Sequence, residues 1–200
     1  MTDSERKNGL RKVILATHNA GKVKELAPAL ASLGWDLHGL MDSGLPVPAE
    51  TGSSFEDNAT IKSMAAMTAT GCWSLADDSG LEVDALGGAP GVTTAEYGGW
   101  ERLLDEMRAV PEGLRGAQFV CVLALSGKDL PTRYFKGICR GKIAPESSGS
   151  RGFGYDPVFI PEGETRTFAA MSIEEKAALS HRGRAIALLL EWAQTAGEIR

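Results

Sequence analysis

An α/β fold is predicted by three features of this 200-residue chain. Residues 12 to 80 alternate apolar, strand-like runs with segments of 3.6-residue spacing. Two longer runs, AQFVCVLALS and TRYFKGICRGKIA, read as strands joined across the turn-forming GKDLP. A last segment, SHRGRAIALLLEWAQTA, has helical spacing behind Ser180, a suitable cap.

In chain order, VILAT (residues 13 to 17) is a buried strand, HNAGK a turn, and VKELAPALASLG a helix that contains Pro28. WDLHGL is a second strand. ETGSSFEDNATIKSMAAMTATG is a polar loop that feeds a helix ending at Gly71, and CWSLADDSG is a third strand, expected to break at Ser79-Gly80. After the Gly/Pro-rich LGGAPG, WERLLDEMRAV is a short amphipathic helix. Beyond the hairpin, ESSGSRGFGYDP is a loop and VFIP a short strand. No internal repeat or low-complexity tract interrupts the pattern.

Composition narrows the function. An apolar share of 43% and a charged share of 24% are those of a globular domain, so neither disorder nor a membrane location is favoured. A chain of this length can bury roughly 70% of the surface its unfolded form exposes. No apolar run approaches the ~18 residues of a spanning helix. The polar start MTDSERKNGLRK lacks the core of a signal peptide, so residues 1–11 read as a flexible arm on a single-domain cytoplasmic protein. Cys72, Cys121 and Cys139 are odd in number and lack CxxC spacing, which argues for reduced thiols and against zinc. The net charge of -5 offers nucleic acid no general attraction. A small anionic substrate must then be held by a few placed cations.

Four groups of residues carry chemistry. THNAGK, that is Thr17, His18, Asn19, Ala20, Gly21 and Lys22, lies between a strand and a helix, where backbone N–H groups, the helix dipole and a lysine can hold an anion. It lacks the Walker A pattern and by itself also reads as an ordinary connection. Glu50 and Glu56 flank a helix start. Ser53 with Glu56 forms a capping box by spacing, which leaves Glu50 as the freer metal ligand.

Asp77 and Asp78 place two carboxylates side by side, and a divalent cation is the commonest arrangement that tolerates such charge. Magnesium takes one or two carboxylates plus substrate phosphates, which suits Asp78 with Glu50. A turn or helix cap is the structural alternative for the pair. Finally, GFGYDP presents Phe153 and Tyr155 among glycines, where a ring can offer its face to a flat base. Lys176, His181 and Arg182 cluster about the last helix start, although a histidine there also serves as a surface or capping residue. Together these groups describe a nucleotide site.

The ordered motifs VILATHNAGKVKEL, ETGSSFEDNA, LADDSGLEVDALGGAPGV, GFGYDPVF and EEKAALSHRG resemble those of the non-canonical purine NTP pyrophosphatases, or XTP/dITP diphosphatases. The resemblance runs from Lys12 to about Trp192. It implies an elongated, two-lobed α/β fold with a central mixed sheet flanked by helices, and a homodimer. It also implies magnesium-dependent hydrolysis of ITP, dITP and XTP to monophosphate and pyrophosphate. Carried onto this chain, Thr17, Asn19 and Lys22 hold phosphates and sugar, Glu50 and Asp78 serve Mg2+, and Asp78 is the general base. Ser79 contacts substrate, while Phe153, Gly154, Tyr155, Asp156, Lys176, His181 and Arg182 meet the base and its sugar. TTAEYGG, ESSG and TFAAMS depart from the family pattern, with Glu96 where an arginine is expected.

Overall fold

The computed structural model describes residues 6, 7, 10–40, 46 and 48–197. Its contacts divide the chain into two units, Met1–Asp78 with Val122–Lys136 and Ala185–Arg200, and Ser79–Cys121 with Gly137–Arg184. The fold is α/β, with a mixed sheet and flanking helices as predicted.

In the first unit β1 (Arg6–Lys7) runs antiparallel to β2 (Leu10–Leu15). The expected arm therefore includes strand residues, and its positions 1–5, 8 and 9 lie outside the described residues. α1 (Ala20–Leu30) buries Leu26 and Leu30, tolerates Pro28, and passes through a 3-10 turn that ends on Gly34. β3 (Asp36–Gly39) returns parallel to β2.

α2 (Phe55–Thr70) ends at Gly71, whose φ of 71° suits a residue without Cβ. Its N-cap is Ser54, which accepts from the Asp57 N–H at 3.1 Å. The cap thus sits one residue later than the Ser53/Glu56 spacing suggests, and Glu56 instead pairs with Lys136 at 2.9 Å. The inward stripe of α2 is Phe55, Asn58, Ala59, Lys62, Ser63 and Ala66, a helical repeat carrying three polar residues. Ala66 joins Ile14, Ala16, Leu40, Cys72 and Ala76 in this unit's core.

β4 (Trp73–Val83) pairs parallel with β2, with Val13 opposite Trp73. It does not break at Ser79-Gly80, contrary to the sequence expectation. Beyond that point Leu81 and Val83 are fully buried apolar residues, so continuing the strand removes them from water. β5 (Gly116–Gly127) and β6 (Leu130–Ile143) realise the predicted hairpin, and the strand order is β1-β2-β4-β5-β6-β7 with β3 on β2.

The second unit contains α3 (Gly99–Glu106), β7 (Phe159–Pro161), which is antiparallel to β6, and α4 (Ile173–Leu179). α5 (His181–Thr195) starts in it, and Ser180 Oγ accepts from the Gly183 N–H at 3.0 Å as predicted for the cap. The core gathers Leu81, Val83, Leu103, Phe119, Phe159 and Phe168, among others. All three cysteines are free and buried. Among the described residues no helix is long and apolar enough to cross a membrane.

Arg115 is buried in this unit and makes no ion pair among the described residues. Its guanidinium donates to the carbonyls of Met107 (2.7 Å), Ile143 (2.8 Å) and Ala144 (2.8 Å), and more weakly to that of Val110 (3.4 Å). These bonds tie the chain after α3 to the end of β6. Arg115→Ala removes this donor from all four carbonyls, of which that of Met107 keeps the Val110 N–H at 3.0 Å, and is expected to cost about 3 kcal/mol, or roughly 6–12 °C in Tm. A melting temperature within about 2 °C of wild type in a thermal scan contradicts that role.

Candidate active site

Each unit holds a polar constellation. In the first, the turn after β2 is held by its own side chains: Thr17 Oγ1 accepts from the Asn19 N–H at 3.1 Å, and Asn19 Oδ1 accepts from the N–H groups of Gly21 (2.9 Å) and Lys22 (3.2 Å). Asn19 is thus the N-cap of α1, and two of the N–H groups expected to face an anion are directed to it. His18, Asn19 and Ala20 are exposed, while Thr17, Gly21 and Lys22 are half-buried. The Lys22 ammonium contacts Asp77 Oδ1 at 2.5 Å.

Successive strand residues point to opposite faces, so the unbroken β4 sends Asp77 and Asp78 apart. Each finds its own lysine. Asp78 Oδ1 accepts from Lys62 Nζ at 2.8 Å, and the same ammonium lies 3.1 Å from Glu50 Oε2. Lys62 is only 4% exposed. Burial works against its charge, but Asp78, Glu50 and Asp77 outweigh that and raise its pKa, so it remains an ammonium. Asp78 is raised to about 6, chiefly by burial; Lys62 opposes the shift and the Glu50 carboxylate adds to it.

In the second unit, Ser79 Oγ accepts from Arg182 Nη2 at 2.8 Å. The His181 ring stacks on Phe119, with centroids 4.6 Å apart and planes within 11°. Asp156 Oδ2 accepts from Lys176 Nζ (2.6 Å) and from the Phe153 N–H (2.8 Å), which fixes both the lysine and the GFG loop. Gly152, at φ 75°, leaves the space that carboxylate occupies, since a Cβ there would collide with it. The Lys176 ammonium stands 4.8 Å from the Phe153 ring centroid, and Arg182 Cζ stands 5.8 Å from it.

Phe153 is half-buried and Gly154 exposed. Tyr155 differs from the sequence expectation: it is 5% exposed, packs in the core and donates its hydroxyl to the Thr94 carbonyl at 3.2 Å. Its glycine neighbours do not make it a platform, because the loop turns the two aromatic rings to different environments.

Residues 13–192 match the Ham1 family model. The chain belongs to the Ham1 family. It is 47% identical over 184 residues to a dITP/XTP pyrophosphatase of Deinococcus deserti, covering 90% of this chain and 88% of that one. It is 49% identical over 187 residues to the dITP/XTP pyrophosphatase of Thermus thermophilus, covering 90% of each. Among solved structures, the Staphylococcus aureus Ham1 protein is 38% identical with a TM-score of 0.83, covering 93% of this chain and all of that one. A Coxiella burnetii HAM1 protein is 36% identical, with a TM-score of 0.84 and coverage of 92% and 98%.

The carboxylates of this Ham1-family chain also suit a divalent cation. Asp78 Oδ2 is buried with no hydrogen-bond partner among the described residues, an arrangement that costs free energy unless something positive meets it. Asp78 and Glu50 share the single ammonium of Lys62, so the ionised pair keeps an excess of negative charge. Among the described residues no three His, Cys, Asp or Glu side chains gather as a closed cage.

Lys62, which pairs with both Asp78 and Glu50, is the residue of this constellation that sequence reading missed. A signal was present: it falls in the buried phase of α2, three residues after Ala59 and four before Ala66, where a solvated lysine has no place.

Proposed function

We propose that this protein hydrolyses non-canonical purine nucleoside triphosphates, ITP, dITP and XTP, to the monophosphate and pyrophosphate, and so removes deaminated purines from the nucleotide pool. The reading is supported by the dITP/XTP pyrophosphatases to which the chain is 47% and 49% identical. The observation that carries the chemistry is the buried Asp78, held through one oxygen by Lys62 and without a hydrogen-bond partner among the described residues at the other.

In this mechanism Lys22 and the turn Thr17–Lys22 take the phosphates. Lys62 holds Asp78 and Glu50 together, so that one Asp78 oxygen stays aimed while the other is available to a water or cation. Asp78 accepts the proton of the attacking water. Magnesium, when bound by Asp78 and Glu50, supplies charge neutralisation to phosphate oxygens. Ser79 follows Asp78 directly in the chain and lies against substrate. Phe153 stacks with the base, Lys176 and Arg182 place positive charge beside that ring, and His181 and Arg182 offer donors to the base edge. The proposal extends to a cytoplasmic homodimer that acts on small molecules rather than on nucleic acid or membranes.

A panel of ITP, dITP, XTP, GTP, ATP and pyrimidine triphosphates tests the substrate class. Turnover of the first three is expected to exceed that of ATP by at least about 10², and chelation by EDTA to abolish it, with recovery on adding magnesium. A preference for pyrimidine or methylated-base triphosphates overturns the purine assignment. Full activity in EDTA overturns the metal.

A further inference from the structure

We infer that Asp77, a residue outside the proposed catalytic set, is a positioning residue that holds the Lys22 ammonium ready for a phosphate chain. The inference rests on the pyrophosphohydrolase reading for what Lys22 binds, but the pair itself is structural. An ammonium has three N–H donors. Lys22 directs one to Asp77 Oδ1 at 2.5 Å and one to the Asp77 carbonyl at 3.3 Å, so the same residue grips it through side chain and backbone. The Asp77 side chain has no exposure, whereas 14% of the Lys22 side chain remains exposed. The anchor is therefore inside, and the third donor is left for an anion.

This arrangement explains the acidic doublet. Asp78 alone is enough for a base or metal ligand, and a second carboxylate beside it raises the local negative charge. Asp77 adds that charge on the opposite face of β4, where it is matched by a lysine from the first turn of α1. Four methylenes give a lysine many rotamers, and fixing the head before substrate arrives removes that ordering from the binding step.

A double-mutant cycle with the full chain tests this. Asp77→Asn is expected to lower kcat/KM for ITP roughly 10- to 100-fold, because a displacement of about 1 Å at a substrate-positioning group costs up to 10²-fold. Asp77→Asn combined with Lys22→Ala is expected to match Lys22→Ala alone, since the aspartate acts through the lysine. Multiplying losses overturn the inference.

Calorimetry with inorganic tripolyphosphate repeats the cycle without hydrolysis and so separates it from the function. Removing a nearby negative charge by itself tightens anion binding, whereas losing the anchor weakens it. Weaker binding to Asp77→Asn, absent on the Lys22→Ala background, supports positioning; tighter binding, or none to wild type, contradicts it. Should Asp77→Asn not fold, Lys22→Arg keeps both the charge and Asp77 but places a longer, planar head there. Losses near those of Lys22→Ala uphold the inference, and wild-type turnover overturns it. Wild-type protein that binds tripolyphosphate with the predicted coupling but leaves ITP intact refutes the function and keeps the positioning role.

Discussion

Asp78→Asn is expected to lower kcat for ITP by at least about 10², while ITP still binds and the protein melts no lower than wild type. The amide has nearly the shape of the carboxylate but can neither accept the water's proton nor serve as an anionic metal ligand. Stability is spared because the substitution replaces a desolvated charge, one oxygen of which lacks a partner, by a neutral group. Lys62 keeps Glu50 as its counter-ion at 3.1 Å. Turnover within a few-fold of wild type would move the base to another group. Loss of folding would make Asp78 a structural partner of Lys62 instead.

Arg182→Ala is expected to lower turnover of ITP by about 10² or more, and of ATP far less, so that the gap between them narrows. Hypoxanthine and xanthine carry a carbonyl at position 6 where adenine carries an amino group, so a donor aimed there rewards the first two and is left unpaired by the third. Such mispairing can discriminate by roughly 10⁴ to 10⁵. Arg182 is 2% exposed and already donates to Ser79 Oγ, so its fork is held in one orientation rather than sweeping the solvent. Phe153→Ala, in contrast, is expected to weaken ITP and ATP by similar factors, because stacking scarcely distinguishes purines. Parallel steady-state kinetics on both substrates decide this, and an unchanged ITP to ATP ratio in Arg182→Ala removes the base-reading role.

The sequence carried the alternation of elements well, because that pattern reflects burial. The helix ending at Gly71, the GKDLP hairpin and the Ser180 cap appear where their residues placed them, and VILAT supplies the end of a strand that runs from Leu10 to Leu15. What was not legible depended on tertiary partners. Ser79-Gly80 has the composition of a turn, yet buried Leu81 and Val83 beyond it hold the chain extended. Ser53 and Ser54 are both competent caps, and choosing between them needs the start of α2. α4, with its capping box from Ser172 to Glu175, was hidden in a segment read only for Lys176.

The site divides along the same line. Residue types pointed to the proposed nucleotide site, whereas the pairings of those residues came only from the structure. Asp156 is one example, because its carboxylate is taken up by Lys176 and the Phe153 N–H. Tyr155 is another, drawn into the core by its ring area and its bond to Thr94.

The claim that the Asp78 cluster cleaves an α-β phosphoanhydride is tested most directly by separating the products of ITP incubated with the wild-type protein and magnesium. Inosine monophosphate and pyrophosphate in equal amounts, with no orthophosphate at early times, are the predicted result. Inosine diphosphate with orthophosphate, or intact ITP after prolonged incubation with folded protein, would contradict it.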